Sequence, residues 1–271
     1  YEATDLPTAP TPGIDTAELG KETCPDEGSD EQKRMLRRPY AGIVGSLMYA
    51  AVAARPDIAK IVSILSRYSK NPGEHHWDAA MRVLRYLKGT ADHGPRFTAS
   101  KKRNRALIRL EGYADASFAE DWKDDDGFST TGYIVYLCGG PVLWGSHKQI
   151  TPALSTAEAE YQSLTACARE IIWLRGLLDE MGFSQDETVI YEDNMGAVGL
   201  AKSASLTRTT KHVVVKHAFL RHHVNAQDIV VKYCPTADML ADALTKVLPR
   251  PKFLAMRDAL LNKEVSIGTL N

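Results

Sequence analysis

From Leu154 to Gly182 the chain reads LSTAEAEYQSLTACAREIIWLRGLLDEMG, and this stretch decides how the rest is read. Apolar residues recur at Ala157, Tyr161, Leu164, Ala168, Ile171, Leu174, Leu178 and Met181. That three-and-four spacing predicts a long helix with one buried face. Ser155 and Thr156 are natural N-caps, Glu158 adds an acid to the first turn, and Gly182 is a natural stop. Two carboxylates near the start have different surroundings. At about 100° per residue, Glu158 and Glu160 point about 200° apart and cannot serve one site together. Glu158 shares its face with Gln162, Thr165 and Arg169, whereas Glu160 lines up with Leu164, Cys167, Ile171 and Leu174. An acid on a core-facing stripe is costly unless a partner or a metal compensates it. Glu160 is therefore the first residue with a functional signature.

Outward from this helix the pattern is mixed. Three β-type runs precede it, at Ala106–Ala114, Thr131–Cys138 and Pro141–His147. After it come a strand at Thr188–Glu192, a helix at Met195–Lys202, a helix at Thr210–Asn225, a strand at Ile229–Tyr233 and a helix at Ala237–Leu244. Three strands followed by alternating helices and strands predict an α/β domain, a mixed sheet with helices on its faces, over residues 106–248. Upstream, residues 37–100 divide into helical patterns at Tyr40–Ala53, Pro56–Ser69 and Gly73–Lys88, with Asn71-Pro72-Gly73 as turn chemistry. Residues 1–36, rich in Pro, Thr and acids, read as an extended lead-in, and 249–271 as a C-terminal tail helix.

The net charge of −1 hides an asymmetry. Residues 1–32 hold nine acids and one base, leaving 25 acids and 32 bases, a charge of +7, for residues 33–271. A polyanion is the partner such a balance suits. Cys24, Cys138, Cys167 and Cys234 show no CxxC pairing and read as reduced thiols. There is no signal-peptide pattern, and the longest apolar run, Ile43–Ala54, is too short to span a bilayer, so no membrane partner is expected.

Four more acids stand where strands end and helices begin. Asp115 closes the first strand in GYADASFA, Asp193 follows VIYED, and Asp238 and Asp242 fall one turn apart in ADMLADALTK. If Asp115, Glu160, Asp193 and Asp242 converge, their repulsion calls for cations, and an all-oxygen cluster suits Mg²⁺ or Mn²⁺. Two such ions about 4 Å apart would activate water and stabilise a leaving oxygen in phosphodiester cleavage. His212, His217, His222 and His223 share one predicted helix, but no cysteine or acid completes a zinc spacing. The surplus there is basic: residues 202–257 hold ten bases and three acids, which suits phosphates, and Lys211 and Lys216 are its central candidates.

From Arg37 to Lys246 the sequence resembles the C-terminal part of the Pol polyprotein of copia-class LTR retrotransposons. The helical block, with PYAGIVGSLMYAA, RPDI and NPGEHHWDAAMRVLRYLKGT, is similar to the segment that follows the polymerase core. The second block is similar to the ribonuclease H domain in YADASFAEDW, STTGYIVYLCGGPVLWGSHKQ, LSTAEAEY, YEDNMGAV, TKHVVVKHAFLRHHV and ADMLADALTK. The resemblance implies a ribonuclease H-like fold with a five-stranded mixed sheet, and hydrolysis of the RNA strand of RNA–DNA hybrids with two Mg²⁺ ions, Mn²⁺ substituting. It assigns the metal and catalytic roles to Asp115, Asp193 and Asp242. For the glutamate, the family's spacing from the ST pair lands on Glu160, with Glu158 as the alternative. Ser129, Thr130, Thr131, Lys148 and Gln149 join Lys211 and Lys216 as expected nucleic-acid contacts. The implied partners are the hybrid and the polymerase part of the same polyprotein, with no small-molecule substrate, in the cytoplasm within a virus-like particle or in the nucleus. A non-catalytic nucleic-acid-binding or scaffold module on the same fold is the alternative function.

Overall fold

A computed structural model describes residues 6–13, 19–97, 108–119, 127–203 and 211–261, except the side chains of 211–217. Its elements run α1 (Asp30–Leu36), α2 (Tyr40–Ala53), α3 (Ala59–Ser66), α4 (Glu74–Gly89), β1 (Leu110–Ser117), β2 (Thr130–Leu137), β3 (Gly140–Lys148) and α5 (Thr156–Glu180). They continue with β4 (Thr188–Glu192), α6 (Met195–Lys202), α7 (Lys211–Asn225), β5 (Ile229–Tyr233), α8 (Asp242–Thr245) and α9 (Arg250–Leu260). Two compact units result, one of α1–α4 with α9, the other of the sheet with α5–α8. No described helix is long and apolar enough to cross a membrane.

In the helical unit, the expected extended lead-in gives way to α1 at Asp30. Ser29 accepts the Gln32 N–H at 3.1 Å, and Asp30 and Glu31 sit in the first turn, where the helix dipole favours acids. The helix expected over Pro56–Ser69 is likewise broken, into a 3₁₀ turn at Pro56–Ile58 followed by α3. A buried ion pair fixes that turn: Arg55 Nε and Nη2 donate to the Asp57 carboxylate at 2.9 and 2.8 Å, and Nη1 donates to the Thr90 carbonyl. Tyr86 donates its hydroxyl to Asp57 at 2.5 Å. A buried pair is tolerated only when its remaining lone pairs and protons are matched in this way. The expected tail helix is not separate either. Its described part, α9, belongs to this unit, with Phe253 edge-on to Tyr86 at 5.8 Å between ring centroids.

The second unit is a five-stranded sheet in the order β3-β2-β1-β4-β5. The β1–β2 and β2–β3 pairs are antiparallel, and β1–β4 and β4–β5 parallel. Parallel pairs need crossovers, which α5 and then α6 with α7 supply. Two glycines let helices lie close on opposite faces. A Cβ at Gly112 would stand 2.8 Å from Cys167 Sγ and Ile171 Cδ1 of α5, and one at Gly132 would press into Thr245 and Leu244 of α8. Leu110, Ala114, Val135, Leu164, Ile171 and Ile190 are buried together between α5 and the sheet.

Helix α5 departs from its predicted stripe at both ends. Six consecutive residues, Ala159 to Leu164, are buried, so this end is enclosed all round. Gln162, expected on the polar face, is buried with its Oε1 accepting the Thr151 hydroxyl at 2.9 Å. Met181 lies beyond the last turn and is exposed, and Ala157 is half-buried. The last acidic helix is shorter than expected: α8 begins at Asp242, and Asp238 falls in a turn where its N–H donates to Pro235 O at 2.9 Å. The four cysteines are free thiols.

Candidate active site

The ends of β1 and β4 and the start of α5 bring three acids together. Asp115, Glu160 and Asp193 each offer one carboxylate oxygen, and these oxygens lie within 4.8 Å of one another. Asp115 sits near the end of β1, opposite Gly132, and is 1% exposed. Because Gly132 has no side chain, α8 can approach, and the Thr245 hydroxyl donates to Asp115 Oδ2.

Glu160 comes from the enclosed end of α5 and is 4% exposed. Ala116 donates its backbone N–H to the carboxylate, but Oε2 is buried without a hydrogen-bond partner. Burial first, and then the charges of Glu192, Asp115 and Asp193, raise its proton affinity far above the usual carboxylate range. Glu158 has a different role. Its N–H donates to Ser155 Oγ at 3.2 Å and its Oε2 accepts the Leu154 N–H at 2.9 Å, a reciprocal arrangement close to a capping box.

Asp193 is half-buried in the turn between β4 and α6. The α6 N-cap is the next residue, Asn194, whose Oδ1 accepts the Ala197 N–H at 3.1 Å. Asp193 itself does not cap α6. Asp242 is buried, but is not among the three acids whose oxygens converge. It is linked to them through Thr245, whose hydroxyl also donates to the Asp242 carbonyl at 3.2 Å. Glu192, which the sequence reading passed over, is fully buried beside these acids, and its carboxyl too is raised, chiefly by burial. The signal was in VIYED, where strand alternation puts residue 192 on the same face as buried Ile190.

The expected nucleic-acid contacts are placed unevenly. Ser129, Thr130, Thr131 and Gln149 are all at most 5% exposed, so their side chains face the interior of the unit. Gln149 Nε2 donates to Thr131 Oγ1 and to the Ala159 carbonyl, Ser163 Oγ donates to Thr131 Oγ1, and Ser129 Oγ accepts the Ala119 N–H. The Gln149, Thr131 and Ser163 bonds tie β2 and the residue after β3 to the start of α5, which carries Glu160. Lys148 is partly exposed, with its ammonium 5.3 Å from the Phe128 ring centroid. The side chains of Lys211 and Lys216 lie outside the described residues.

The strand order, the two-sided helix packing and the acids at the ends of β1 and β4 define a ribonuclease H-like domain. No protein-family model matches the chain. Over 243 residues it is 41% identical to the retrovirus-related Pol polyprotein from transposon TNT 1-94 of Nicotiana tabacum, a match covering 90% of the chain and 18% of that protein. Over 215 residues it is 43% identical to the corresponding polyprotein from transposon RE2 of Arabidopsis thaliana, covering 79% and 14%. Its relatives over most of the chain are retrovirus-related Pol polyproteins from copia-type transposons. It spans less than a fifth of the length of these curated relatives. Among solved structures it is similar to LC11-RNase H1 isolated from compost, at 17% identity and a TM-score of 0.38, over 51% of the chain and 92% of that protein.

Proposed function

We propose that the sheet unit cleaves the RNA strand of RNA–DNA hybrids by divalent-cation-dependent hydrolysis. One observation carries this reading: three carboxylate oxygens, one of them from Glu160, converge within 4.8 Å, and the Glu160 carboxylate has its Oε2 buried with no hydrogen-bond partner. The protein supplies no base to neutralise that oxygen among its described contacts, and an all-oxygen donor set fits hard cations such as Mg²⁺ or Mn²⁺. Asp115, Glu160 and Asp193 would hold the cations, with Asp242 supporting them from α8. Bound there, a pair of cations would activate the attacking water and stabilise the leaving oxygen. The chain's own part is to fix the acids. Gly132 admits α8, Thr245 orients Asp115, and the Gln149–Thr131–Ser163 bonds hold the α5 start that carries Glu160. A non-catalytic binding module would carry the cost of that uncompensated acid without using it.

Lys148 with Lys211 and Lys216 would receive the hybrid's phosphates. The helical unit would be the joint to the polymerase part of the polyprotein, which would place the domain in virus-like particles during reverse transcription. The test is cleavage of a labelled RNA–DNA hybrid with and without Mg²⁺, against double-stranded RNA and DNA controls. Wild type should cut only the RNA of the hybrid, and Asp115→Asn or Asp193→Asn should lower the rate at least about a hundredfold while leaving the fold intact. Wild-type turnover in either variant overturns the assignment.

A further inference from the structure

We propose that Glu192 is a fourth acid of the cation centre, serving it from the Glu160 side; this rests on the metal reading above. Sheet alternation sets the geometry. On β1, Gly112 faces Cys167 and Ile171 of α5, so Asp115, three residues on, faces the opposite side, where Thr245 meets it. On β4, Ile190 is buried among the α5 residues, and Glu192 shares its face. The centre therefore straddles the strand ends, with Asp115 on the α8 side, Glu160 and Glu192 on the α5 side, and Asp193 in the turn between them. Glu192, like Asp242, lies outside the set of three acids whose oxygens converge within 4.8 Å, but its charge, with those of Asp115 and Asp193, acts on the Glu160 carboxyl.

The alternative role for Glu192 is to shape the β4–α6 turn. Its Oε1 does accept the Asn194 N–H at 3.1 Å, and the Asp193 N–H also reaches its carboxylate. That role uses one side of the group. Oε2 is buried without a hydrogen-bond partner, as Glu160 Oε2 is, and α6 already has its cap in Asn194. Two neighbouring buried carboxylates, each with a bare oxygen, are what a hard cation satisfies. Asp242, with its link through Thr245, lies on the α8 side, so Glu192 fills a different position.

The experiment is Mn²⁺ binding, followed by electron paramagnetic resonance and calorimetry, on the full chain as wild type, Glu192→Gln and Glu192→Asp, without nucleic acid. Glutamine keeps an oxygen for the Asn194 N–H and removes only the charge. The expected result is a loss of about tenfold or more in Mn²⁺ affinity for E192Q, the scale on which groups of a metal site are felt, with metal-free melting unchanged or raised. Wild-type affinity in E192Q overturns the inference and reduces Glu192 to a turn residue, while leaving the three-acid centre standing. If E192Q does not fold, E192D carries the test. With its charge one methylene shorter, it should bind Mn²⁺ with an altered spectrum, and an unchanged spectrum overturns the inference. Absence of Mn²⁺ binding by wild type overturns the metal centre itself, and this proposal with it.

Discussion

Glu158 accepts the Leu154 N–H at the helix start, and Glu160 stands among buried acids, so changes at the two positions should have opposite signatures. On the proposed reading, Glu160→Gln should lower hybrid cleavage at least about a hundredfold, because it removes a carboxylate that would hold the cations. Without metal the same variant should melt no lower than wild type, since one of several mutually repelling acids is gone. Added Mg²⁺ should raise the melting temperature of wild type by mass action and raise that of E160Q less. Glu158→Ala should keep most cleavage and cost about 1 kcal/mol, the usual value of a helix cap. Melting curves with Mg²⁺ or a chelator, run beside the cleavage assay, check all four statements. Reversed outcomes would mean that α5 is rotated about its axis by about 200° from the arrangement described.

At the scale of elements, the centre depends on how closely α5 and α8 approach β1 and β2, and glycines set those distances. At Gly132 the added methyl of alanine would meet Thr245, Leu244 and the Ala241 carbonyl, a backbone group that cannot swing aside. Gly132→Ala should therefore cost about 1–3 kcal/mol by overpacking. It should also depress cleavage, because displacing α8 moves Thr245 away from Asp115. Denaturant unfolding and turnover measured on one preparation test this. Lost activity at wild-type stability, or lost stability at wild-type activity, would show that α8 and Asp115 are not coupled through this contact.

For the whole molecule, the relevant quantity is charge. The +7 balance of residues 33–271 favours any polyanion, whatever its sequence, and phosphate contacts of this kind release counterions. Reversing Lys211 and Lys216 to Glu should raise the apparent KM and flatten the dependence of hybrid affinity on salt, by about 2 in the log–log slope, while the same strand is still cut. Hybrid binding at several salt concentrations, compared between wild type and the double variant, measures that slope. Equal slopes would move the phosphate track to other basic residues.

The sequence by itself determined most of the elements and pointed to three acids whose oxygens converge. Period-two and period-3.6 patterns survive folding, so β4, α6 and β5 begin and end where the pattern placed them, and helical phase alone separated Glu160 from Glu158. What it could not determine depends on contacts far apart along the chain. The all-round burial of Ala159–Leu164 comes from the sheet and the Thr151 segment enclosing that end of α5, which no periodicity encodes. The break at Pro56–Ile58 depends on Arg55 reaching Thr90, and the nearness of α8 to Asp115 on a glycine more than a hundred residues before Thr245. Ser129–Thr131 and Gln149 entered the sequence reading as expected nucleic-acid contacts. Only the tertiary structure gave those groups partners inside the fold, and a buried polar group with a partner costs little. Glu192 was missed for the converse reason: a lone acid at a strand end looks solvated until the neighbouring helix covers it.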